Sequence, residues 1–397
     1  MHKNLVIAFG GVSPEHEVSV LTAIQAASAW GDDNWKIIPL YISKSGLWLT
    51  GDHLLELESY ENISEAESGA TPCHLTAAAD GSPVLVFKSG GFLGRKTALR
   101  IDMVLCAFHG SDGENGAFQG LCETANIPYT GSGVTASAMG MDKRIAKQFC
   151  RLAGIPTVPD VLFSEQQWVR EQGQLITQAE KMGYPLFVKP GSLGSSIGVY
   201  RATNREELIM GVESAFRYST DLLVEKGIEP LTEINCSVLG DGEDLQTSVC
   251  EQPIAGGEAL TFEDKYLQGD GEAKGMASAS RLIPAPITEE QTKKIQQYSL
   301  QIFQAMGCSG VARLDFLMHS ESGEIWFNEI NTIPGSFSFY LWDATGVSFD
   351  QLLEKMVSIA LKRHREKNSR IRYHDVNLLS QKAVKGIKGL KRSKGER

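Results

Sequence analysis

The stretch 311–335, VARLDFLMHSESGEIWFNEINTIPG, constrains the fold of this chain more than any other segment. Two runs of alternating apolar and polar residues flank the Ser- and Gly-containing segment HSESG, a pattern that predicts an antiparallel hairpin. A turn at the centre of that segment places Asp315 opposite Glu329. It also places Arg313 opposite Asn331. Because side chains alternate between the two faces of a strand, all four are expected on one face.

The chemistry of this face has two interpretations. Carboxylate and amide oxygens are ligands that suit Mg²⁺, particularly when the ion is shared with substrate phosphates. A solvated sheet face with ordinary cross-strand ion pairs would carry the same residue types. The rest of the sequence is needed to distinguish a metal site from a solvated face.

Length and composition favour a soluble globular protein with two or three domains. The chain has 397 residues, of which 42% are hydrophobic, enough for a substantial core. The apolar run at residues 4–9 is too short to span a bilayer, and it lacks the flanking regions of a secretory signal. We therefore expect a cytoplasmic protein with no membrane span. Its seven scattered cysteines, none in a CxxC motif, are expected to be buried and reduced.

Positive charge is concentrated at the C-terminal end. Residues 362–397 contain thirteen Lys/Arg and three acidic residues, a net charge of +10, so the remainder carries −20 against a total of −10. We expect residues 365–397 to form a basic, disordered tail. Such a tail could contact an acidic partner such as nucleic acid or an acidic membrane surface, or it could only keep the chain end in solution.

The N-terminal region has the pattern of an open parallel α/β sheet. A buried strand at 3–10 leads into the Gly-rich loop GGVSPEHEVS and then into a helix. The loop matches neither the dinucleotide-binding motif nor the P-loop motif. Glu15 lies in this loop, beyond the carboxyl end of the strand, where open α/β sheets bind ligands. Its carboxylate is predicted either to bind an ammonium group or to act as an acid at the start of the helix.

Two later regions place lysines beside glycine-rich loops. A helix is predicted at 134–149, with Lys143 and Lys147 four residues apart on one face. The predicted strand at 184–190 carries Lys189 near its end and leads into the loop GSLGSSIGV. Backbone N–H groups, hydroxyls and a lysine suit a phosphate, although Gly/Ser loops also occur as ordinary connections between strands.

The segment 252–282 is the longest predicted connection. It is rich in glycine and alanine, and its length is typical of a lid over a binding site. Lys265 and Tyr266 are its most chemically useful members. A helix at 288–307 then leads into the hairpin, and an amphipathic helix at 349–366 follows it.

Taken together, these segments resemble the D-alanine–D-alanine ligase family of the ATP-grasp superfamily. The matching stretches occur in the family's order: GGVSPEHEVS, HGSDGENGAFQG, PYTGSG, MDK, FVKP, GSSIGV, LVEK, DKY, VARLDF and NEINTIPG. The resemblance implies an α/β, three-domain ATP-grasp architecture with an N-terminal open parallel-sheet domain. The implied divisions are an N-terminal domain at 1–136, a central ATP-grasp subdomain at 137–226, a C-terminal subdomain at 227–364 containing the lid 252–282, and the tail 365–397.

The resemblance also implies a role for individual residues. The implied ATP-binding residues are Lys143, Lys189, Ser196, Glu225, Lys226, Ile228, Glu233 and Lys265. The implied ligands of Mg²⁺, with Mn²⁺ as an alternative ion, are Asp315, Glu329 and Asn331. The implied catalytic residues are the hydrogen-bonded triad Glu15, Ser195 and Tyr266, which orients the first D-amino acid, and the oxyanion site of Arg313 with the Gly335 amide. The implied substrate-binding residues are His109, Ser336 and Ser338.

By this resemblance the chain is an ATP-dependent ligase. It is expected to join D-alanine to D-alanine through a D-alanyl phosphate, for peptidoglycan precursor synthesis, and to form a homodimer. The segment after Gly335, GSFSFYLWDATG, differs from the family pattern, as does the lid sequence LTFEDKY. An alternative is therefore a ligase with another second substrate: D-serine, a 2-hydroxy acid or another amino acid. A non-catalytic ATP-binding or nucleic-acid-associated protein is a third hypothesis, disfavoured because every expected metal and phosphate residue is present.

Overall fold

The computed structural model of the chain describes residues 2–89, 95–254, 281–374 and 376–377. The chain divides into two compact units, residues 1–361 and residues 362–397. The larger unit contains three β-sheets with helices packed against them, which confirms the α/β class. Among the described residues, no helix is both long enough and apolar enough to cross a lipid bilayer. All seven cysteines are buried and have free thiols, as predicted.

The first sheet has seven strands in the order β6-β5-β4-β3-β2-β1-β7. They are β1 (Lys3–Gly10), β2 (Trp35–Ile42), β3 (Trp48–Thr50), β4 (Thr71–Ala77), β5 (Pro83–Ser89), β6 (Arg95–Arg100) and β7 (Met103–Cys106). Only β1, β2 and β7 are parallel, so the predicted parallel sheet is limited to these three strands. The others pair antiparallel, since the connections β2–β3 and β4–β5 are too short for a crossover helix.

Six helices belong to the first part of the chain. They are α1 (His16–Ala29), α2 (Ile63–Gly69), α3 (Ser111–Glu114), α4 (Ala117–Thr124), α5 (Val134–Met141) and α6 (Lys143–Leu152). The single helix predicted at 134–149 is therefore wrong. Asp142 has an extended backbone between α5 and α6, and its side chain accepts hydrogen bonds from the Arg144 and Ile145 N–H groups. This N-cap starts a new helix at Lys143, because it satisfies N–H groups that the first turn leaves unpaired.

The second sheet has four antiparallel strands in the order β10-β9-β11-β8. They are β8 (Asp160–Ser164), β9 (Leu186–Pro190), β10 (Tyr200–Ala202) and β11 (Asp221–Lys226). Two helices, α7 (Glu165–Glu180) and α8 (Arg205–Ala215), contribute with this sheet to a separate apolar core. Lys189 on β9 lies opposite Leu223, so that Glu225, two residues along β11, is its diagonal neighbour on the same face.

The third sheet has five antiparallel strands in the order β14-β13-β12-β15-β16. They are β12 (Leu231–Asp241), β13 (Asp244–Pro253), β14 (Arg281–Leu282), β15 (Ser309–His319) and β16 (Ile325–Asn331). Helix α9 (Glu289–Ala305) packs against its apolar face. The ends of the predicted lid are themselves paired strand residues, Gln252 with Leu282 and Pro253 with Arg281. The rest of that lid, 255–280, lies outside the described residues.

The predicted hairpin is confirmed in fold and register. Arg313 pairs with Asn331, and Asp315 pairs with Glu329. A β-bulge then shifts the pairing, so that one extra residue, Asn328, is inserted on β16. The apolar residues of the hairpin face α9, which leaves the polar residues on the opposite face of the sheet.

The segment after Gly335 begins with a 3₁₀ turn, Gly335–Ser338, followed by α10 (Phe339–Asp343) and α11 (Phe349–Asn368). Phe337 and Trp342 are fully buried in the core of the first sheet. The Trp342 indole donates a hydrogen bond of 3.0 Å to the Ser237 hydroxyl on β12. The residues that differ from the family pattern therefore tie the third sheet to the core of the first.

Candidate functional site

A cavity of about 120 Å³ lies between the second sheet and the third. Seven of the eight predicted ATP-binding residues line it: Lys143, Lys189, Ser196, Glu225, Lys226, Ile228 and Glu233. The eighth, Lys265, lies outside the described residues. Two predicted metal ligands, Asp315 and Glu329, are also part of the lining. The cavity thus brings together residues that are nearly two hundred positions apart in the sequence.

The lining combines apolar and charged surfaces. Phe187, Val199, Leu231 and Leu317 supply apolar side chains next to the lysines and carboxylates. A nucleotide has the matching parts, a planar apolar base and an anionic phosphate chain. The backbone of Ser196 is left-handed, with φ of +60°, in the loop that follows β9.

Two lysines of the cavity are held by acidic residues. The Lys143 ammonium lies 2.8 Å from the Glu329 carboxylate and donates to the Leu193 carbonyl at 2.7 Å. Burial lowers the pKa of Lys143, but the carboxylates around it, Glu329 above all, raise it above its ordinary value. Lys189 lies 2.6 Å from the Glu225 carboxylate and 3.3 Å from the Asn328 amide oxygen. Two ammonium groups therefore line the cavity and provide positive charge for an anionic ligand.

The polar face of the hairpin offers hard oxygen donors. Asp315 and Glu329 lie directly opposite each other on β15 and β16. Asn331 donates to Asp315 over 3.1 Å, which fixes the position of its amide. Among the described residues, no three or more His, Cys, Asp or Glu side chains form a self-contained metal cage. Two carboxylates and an amide are hard oxygen donors, the ligand type that Mg²⁺ takes when phosphate and water complete its coordination.

Arg313 supplies fixed positive charge beside these donors. Its guanidinium forms a two-pronged pair with Asp315, with both N–O distances at 2.7 Å. Burial lowers the pKa of Arg313, but Asp315 outweighs that effect and raises the pKa well above its ordinary value. The bidentate geometry holds the guanidinium in one orientation.

Glu15 contacts the loop between β9 and β10. It occupies the N-cap position of α1, where the second interpretation placed an acid, but its side chain forms no cap hydrogen bond with that helix. The Ser195 hydroxyl donates a short hydrogen bond to the Glu15 carboxylate. Two members of the predicted triad are thus in contact, and the third, Tyr266, lies outside the described residues.

His109 is buried in a chain of hydrogen bonds. Its Nε2 lies 2.8 Å from the Thr22 hydroxyl, and its ring also bonds to the backbone of Ile333. Burial lowers its pKa to about 3, so the ring is neutral at physiological pH. Thr22 in turn accepts a hydrogen bond from the Ser336 N–H group at 3.0 Å. His109 and Ser336 are therefore linked through a residue that the sequence did not single out.

The predicted substrate-binding serines lie in a strained turn. Ser336, Phe337 and Ser338 have φ values of +51°, +53° and +51°, a left-handed conformation that is costly for residues other than glycine. Both serines are buried. The Ser338 hydroxyl has no hydrogen-bond partner among the described residues. A buried, unsatisfied hydroxyl in a strained turn is a feature of ligand sites.

Glu114 is a buried acid that sequence reasoning missed. Its two carboxylate oxygens accept hydrogen bonds from the Gly110 and Ile333 N–H groups, at 2.9 Å and 3.1 Å. Burial and the nearby charge of Glu15 raise its pKa to about 7. The sequence feature that could have identified Glu114 is its position in the segment HGSDGENG, which begins with His109. It joins the first sheet to the segment that follows the hairpin.

The polar face also extends further across the third sheet than predicted. Asn235 on β12 pairs with Asp315 on one side and with Glu251 on the other. Glu251 accepts hydrogen bonds from Asn235, Arg281 and the Tyr340 hydroxyl, at 3.0 Å, 3.0 Å and 3.1 Å. Alternation of polar and apolar residues in the segment TEINCSVLG, 232–240, is a signal that could have identified Asn235, whereas the others become neighbours only in the folded sheet.

The chain matches two family descriptions over most of its length. Residues 4–132 match "D-ala D-ala ligase N-terminus", and residues 149–358 match "D-ala D-ala ligase C-terminus". A D-alanine–D-alanine ligase from Thermosipho africanus is 36% identical over 96% of this chain and 100% of its own.

Solved structures are similar over nearly the whole chain. A D-alanine–D-alanine ligase from Coxiella burnetii has a TM-score of 0.76 and 27% identity, covering 97% of this chain and 99% of its own. A D-Ala:D-Ser ligase from Enterococcus faecalis has a TM-score of 0.75 and 29% identity, covering 91% of this chain and 100% of its own. The ATP-grasp fold expected from the sequence is confirmed.

The raised pKa of Glu114 predicts a pH-dependent stability. The pKa of Glu114 is about 7 in the folded protein, compared with an ordinary value of 4.5. Its favourable contribution to the free energy of unfolding is therefore complete below pH 4.5 and is lost as pH rises through 7. Glu114→Gln stays neutral, so its melting temperature should rise relative to wild type between pH 5 and pH 8. Asp112→Asn, at an exposed acid of the same loop, is the control. A difference between Glu114→Gln and wild type that stays constant with pH would contradict the prediction.

Proposed function

The chain belongs to the D-alanine–D-alanine ligase family, and from this membership we propose that it is an ATP-dependent enzyme that joins D-alanine to D-alanine for peptidoglycan precursor synthesis. The observation that carries the proposal is the shared cavity, in which the predicted nucleotide residues meet the predicted metal face.

ATP is proposed to bind in the cavity between the second and third sheets. The backbone of Glu225 to Ile228 would hold the adenine ring, and Glu233 would bind the ribose. Lys143, Lys189 and Ser196 would bind the phosphates, together with Lys265. Apolar side chains of the cavity would pack against the base, because a nucleotide needs both kinds of surface.

Mg²⁺ is proposed to bind at the hairpin. Asp315, Glu329 and Asn331 would hold it, and Mn²⁺ would fit the same oxygen donors. When bound, the ion would balance negative charge on the phosphate oxygens during transfer. Lys143 and Lys189, which contact the same strand, would share that task.

The reaction requires activation of a carboxylate, because a carboxylate is a poor acyl donor. The first D-alanine carboxylate attacks the γ-phosphorus of ATP, releasing ADP and forming D-alanyl phosphate. The amine of the second D-alanine attacks the acyl carbon, loses a proton and expels phosphate. Glu15, oriented by Ser195, would bind the first ammonium group. Arg313, with the Gly335 N–H, would stabilise the negative oxygen that develops on the acyl carbon.

The second substrate is proposed to bind near the strained turn. The buried Ser338 hydroxyl has a hydrogen bond to offer, and Ser336 is linked to His109 through Thr22. D-serine is the second candidate for this position, because a D-Ala:D-Ser ligase has a similar structure over nearly its whole length. A homodimer, a cytoplasmic location and a contact of the basic tail with an acidic partner stay predictions.

Incubation of the purified protein with ATP, Mg²⁺ and D-alanine tests the proposed function. We expect phosphate release together with a D-alanyl-D-alanine product detected by mass spectrometry. Parallel reactions contain L-alanine alone, or D-alanine with D-serine or D-lactate as the competing acceptor. Phosphate release that depends on an acceptor other than D-alanine would overturn the leading assignment and favour the alternative.

Arg313→Ala should lower turnover by roughly 10²- to 10³-fold, because it removes one donor to the developing oxyanion. Arg313→Lys is the matched variant, since it retains the charge but not the fork with Asp315. It should recover part of the loss. Affinity for MgATP, measured by titration, should change far less than turnover. Turnover close to wild type in Arg313→Ala would contradict the oxyanion role.

Glu15→Gln should raise the KM for the first D-alanine by about tenfold or more, as for loss of a charged hydrogen bond, while leaving affinity for MgATP nearly unchanged. Glu17→Gln is the control, because Glu17 is an exposed acid of the same helix that pairs with Lys44. Its KM should stay at the wild-type value. An equal loss of MgATP affinity in Glu15→Gln would show that Glu15 has a structural role instead.

A further inference from the structure

Lys147 is a fully buried lysine to which no role has yet been given. It lies on α6, one turn after Lys143, and none of its side-chain surface is exposed. Its ammonium group is 2.5 Å from Oε1 of Glu225. The other oxygen of the same carboxylate, Oε2, is 2.6 Å from the Lys189 ammonium. One buried carboxylate therefore divides its charge between two lysines.

The three side chains form a nearly isolated charge cluster. Glu225 is almost as deeply buried as Lys147, and its charge has little solvent to screen it. Burial raises the pKa of Glu225, but Lys147 and Lys189 outweigh burial and lower it to about 2. Burial lowers the pKa of Lys147, and the charge of Glu225 opposes that effect. With both lysines protonated, two cations and one anion leave a net charge of +1. Of the two lysines, Lys189 reaches the nucleotide cavity, where it is also a partner of Asn328.

Without Lys147, the whole charge of Glu225 would fall on Lys189. The cluster would then be neutral, and an incoming phosphate would have to compete with an undivided internal carboxylate for the same ammonium group. Arg151, a cation of the same helix, does not take the place of Lys147, because it is paired with Asp160. Lys143 is also paired separately, with Glu329.

We propose that Lys147 is a positioning residue for the nucleotide phosphates. It neutralises half of the Glu225 carboxylate, so that Lys189 keeps a net positive charge directed into the cavity. This inference rests on the proposed function in one respect, namely that ATP occupies the cavity. It adds a role for the Glu225 side chain on the strand whose backbone is proposed to hold the adenine ring.

A purely structural buried ion pair makes a different prediction. If Lys147 only ties α6 to β11, each substitution in the cluster should damage the protein, and the double substitution should be at least as harmful as either one. If Lys147 acts by neutralising Glu225, removing both charges restores the net charge of +1 on Lys189. The double variant should then recover what the single variant lost.

The experiment measures MgATP affinity of the full chain by titration calorimetry, without amino-acid substrate. Lys147→Met should weaken binding by about 10- to 100-fold, the usual worth of a charge-assisted hydrogen bond. Lys147→Met with Glu225→Gln should recover most of the affinity that Lys147→Met loses. Arg151→Met, which removes a cation of the same helix that pairs with Asp160, is the matched control and should bind as wild type does.

Two results would overturn the inference. One is unchanged affinity in folded Lys147→Met, and the other is a folded double variant that binds MgATP as weakly as Lys147→Met or more weakly. If Lys147→Met does not fold, comparison of the MgATP affinity of the double variant with that of wild type tests the inference instead. The double variant is expected to fold, because it leaves no unpaired buried anion. Failure of the wild-type chain to bind MgATP would refute the proposed function itself, which separates the two failures.

Discussion

The register of the β15–β16 hairpin is the constraint on which the site depends. Direct opposition of Asp315 and Glu329 gathers two like charges, and the structure tolerates them because each has its own cation. Arg313 pairs with Asp315, and Lys143 pairs with Glu329. A slip of one residue would turn polar side chains of the hairpin to the face covered by α9. The apolar residues on that face therefore keep the polar residues in the cavity.

The β-bulge in the same hairpin also determines which residues line the cavity. With one extra residue on β16, Asn328 and Glu329 both line the cavity although they are adjacent in the sequence. In a regular strand, neighbours point to opposite faces. Asn328 reaches Lys189 and Glu329 reaches Lys143, so one irregularity lets a single strand contact both lysines. The third sheet is thereby joined to α6 and to the second sheet.

Buried charge is distributed in small, nearly balanced groups throughout this region. Lys147, Glu225 and Lys189 form one group, and Glu251 with Arg281 forms another. An unpaired charge at such depth would be strongly destabilising, so the partners have to be present before any ligand arrives. The surplus positive charge at Lys189 would attract an anionic ligand that enters the cavity. Preorganised charge of this kind needs no rearrangement at the moment of reaction.

The sequence by itself determined the local features of this protein. Alternation along 311–335 was sufficient for the hairpin, its two predicted polar pairs and its polar face, because pairing across a short turn depends only on nearby residues. It did not reveal the bulge at Asn328. The same holds for the strand–loop–helix unit that carries Glu15 and for the strand and glycine-rich loop that carry Lys189. Local pattern did not reveal the break at Asp142, where a side-chain cap outweighs helical propensity.

Only the tertiary structure decided which distant groups meet. Ser195 contacts Glu15 across 180 positions, and the Ile333 N–H reaches Glu114 across 219. Glu225 could be matched to a backbone role from its motif, but its side chain is defined by Lys147 and Lys189, which arrive from two other elements. Periodicity describes which face a residue occupies within its own helix or strand. The partner across that face, and so the charge state and function of the residue, depends on how the sheets pack.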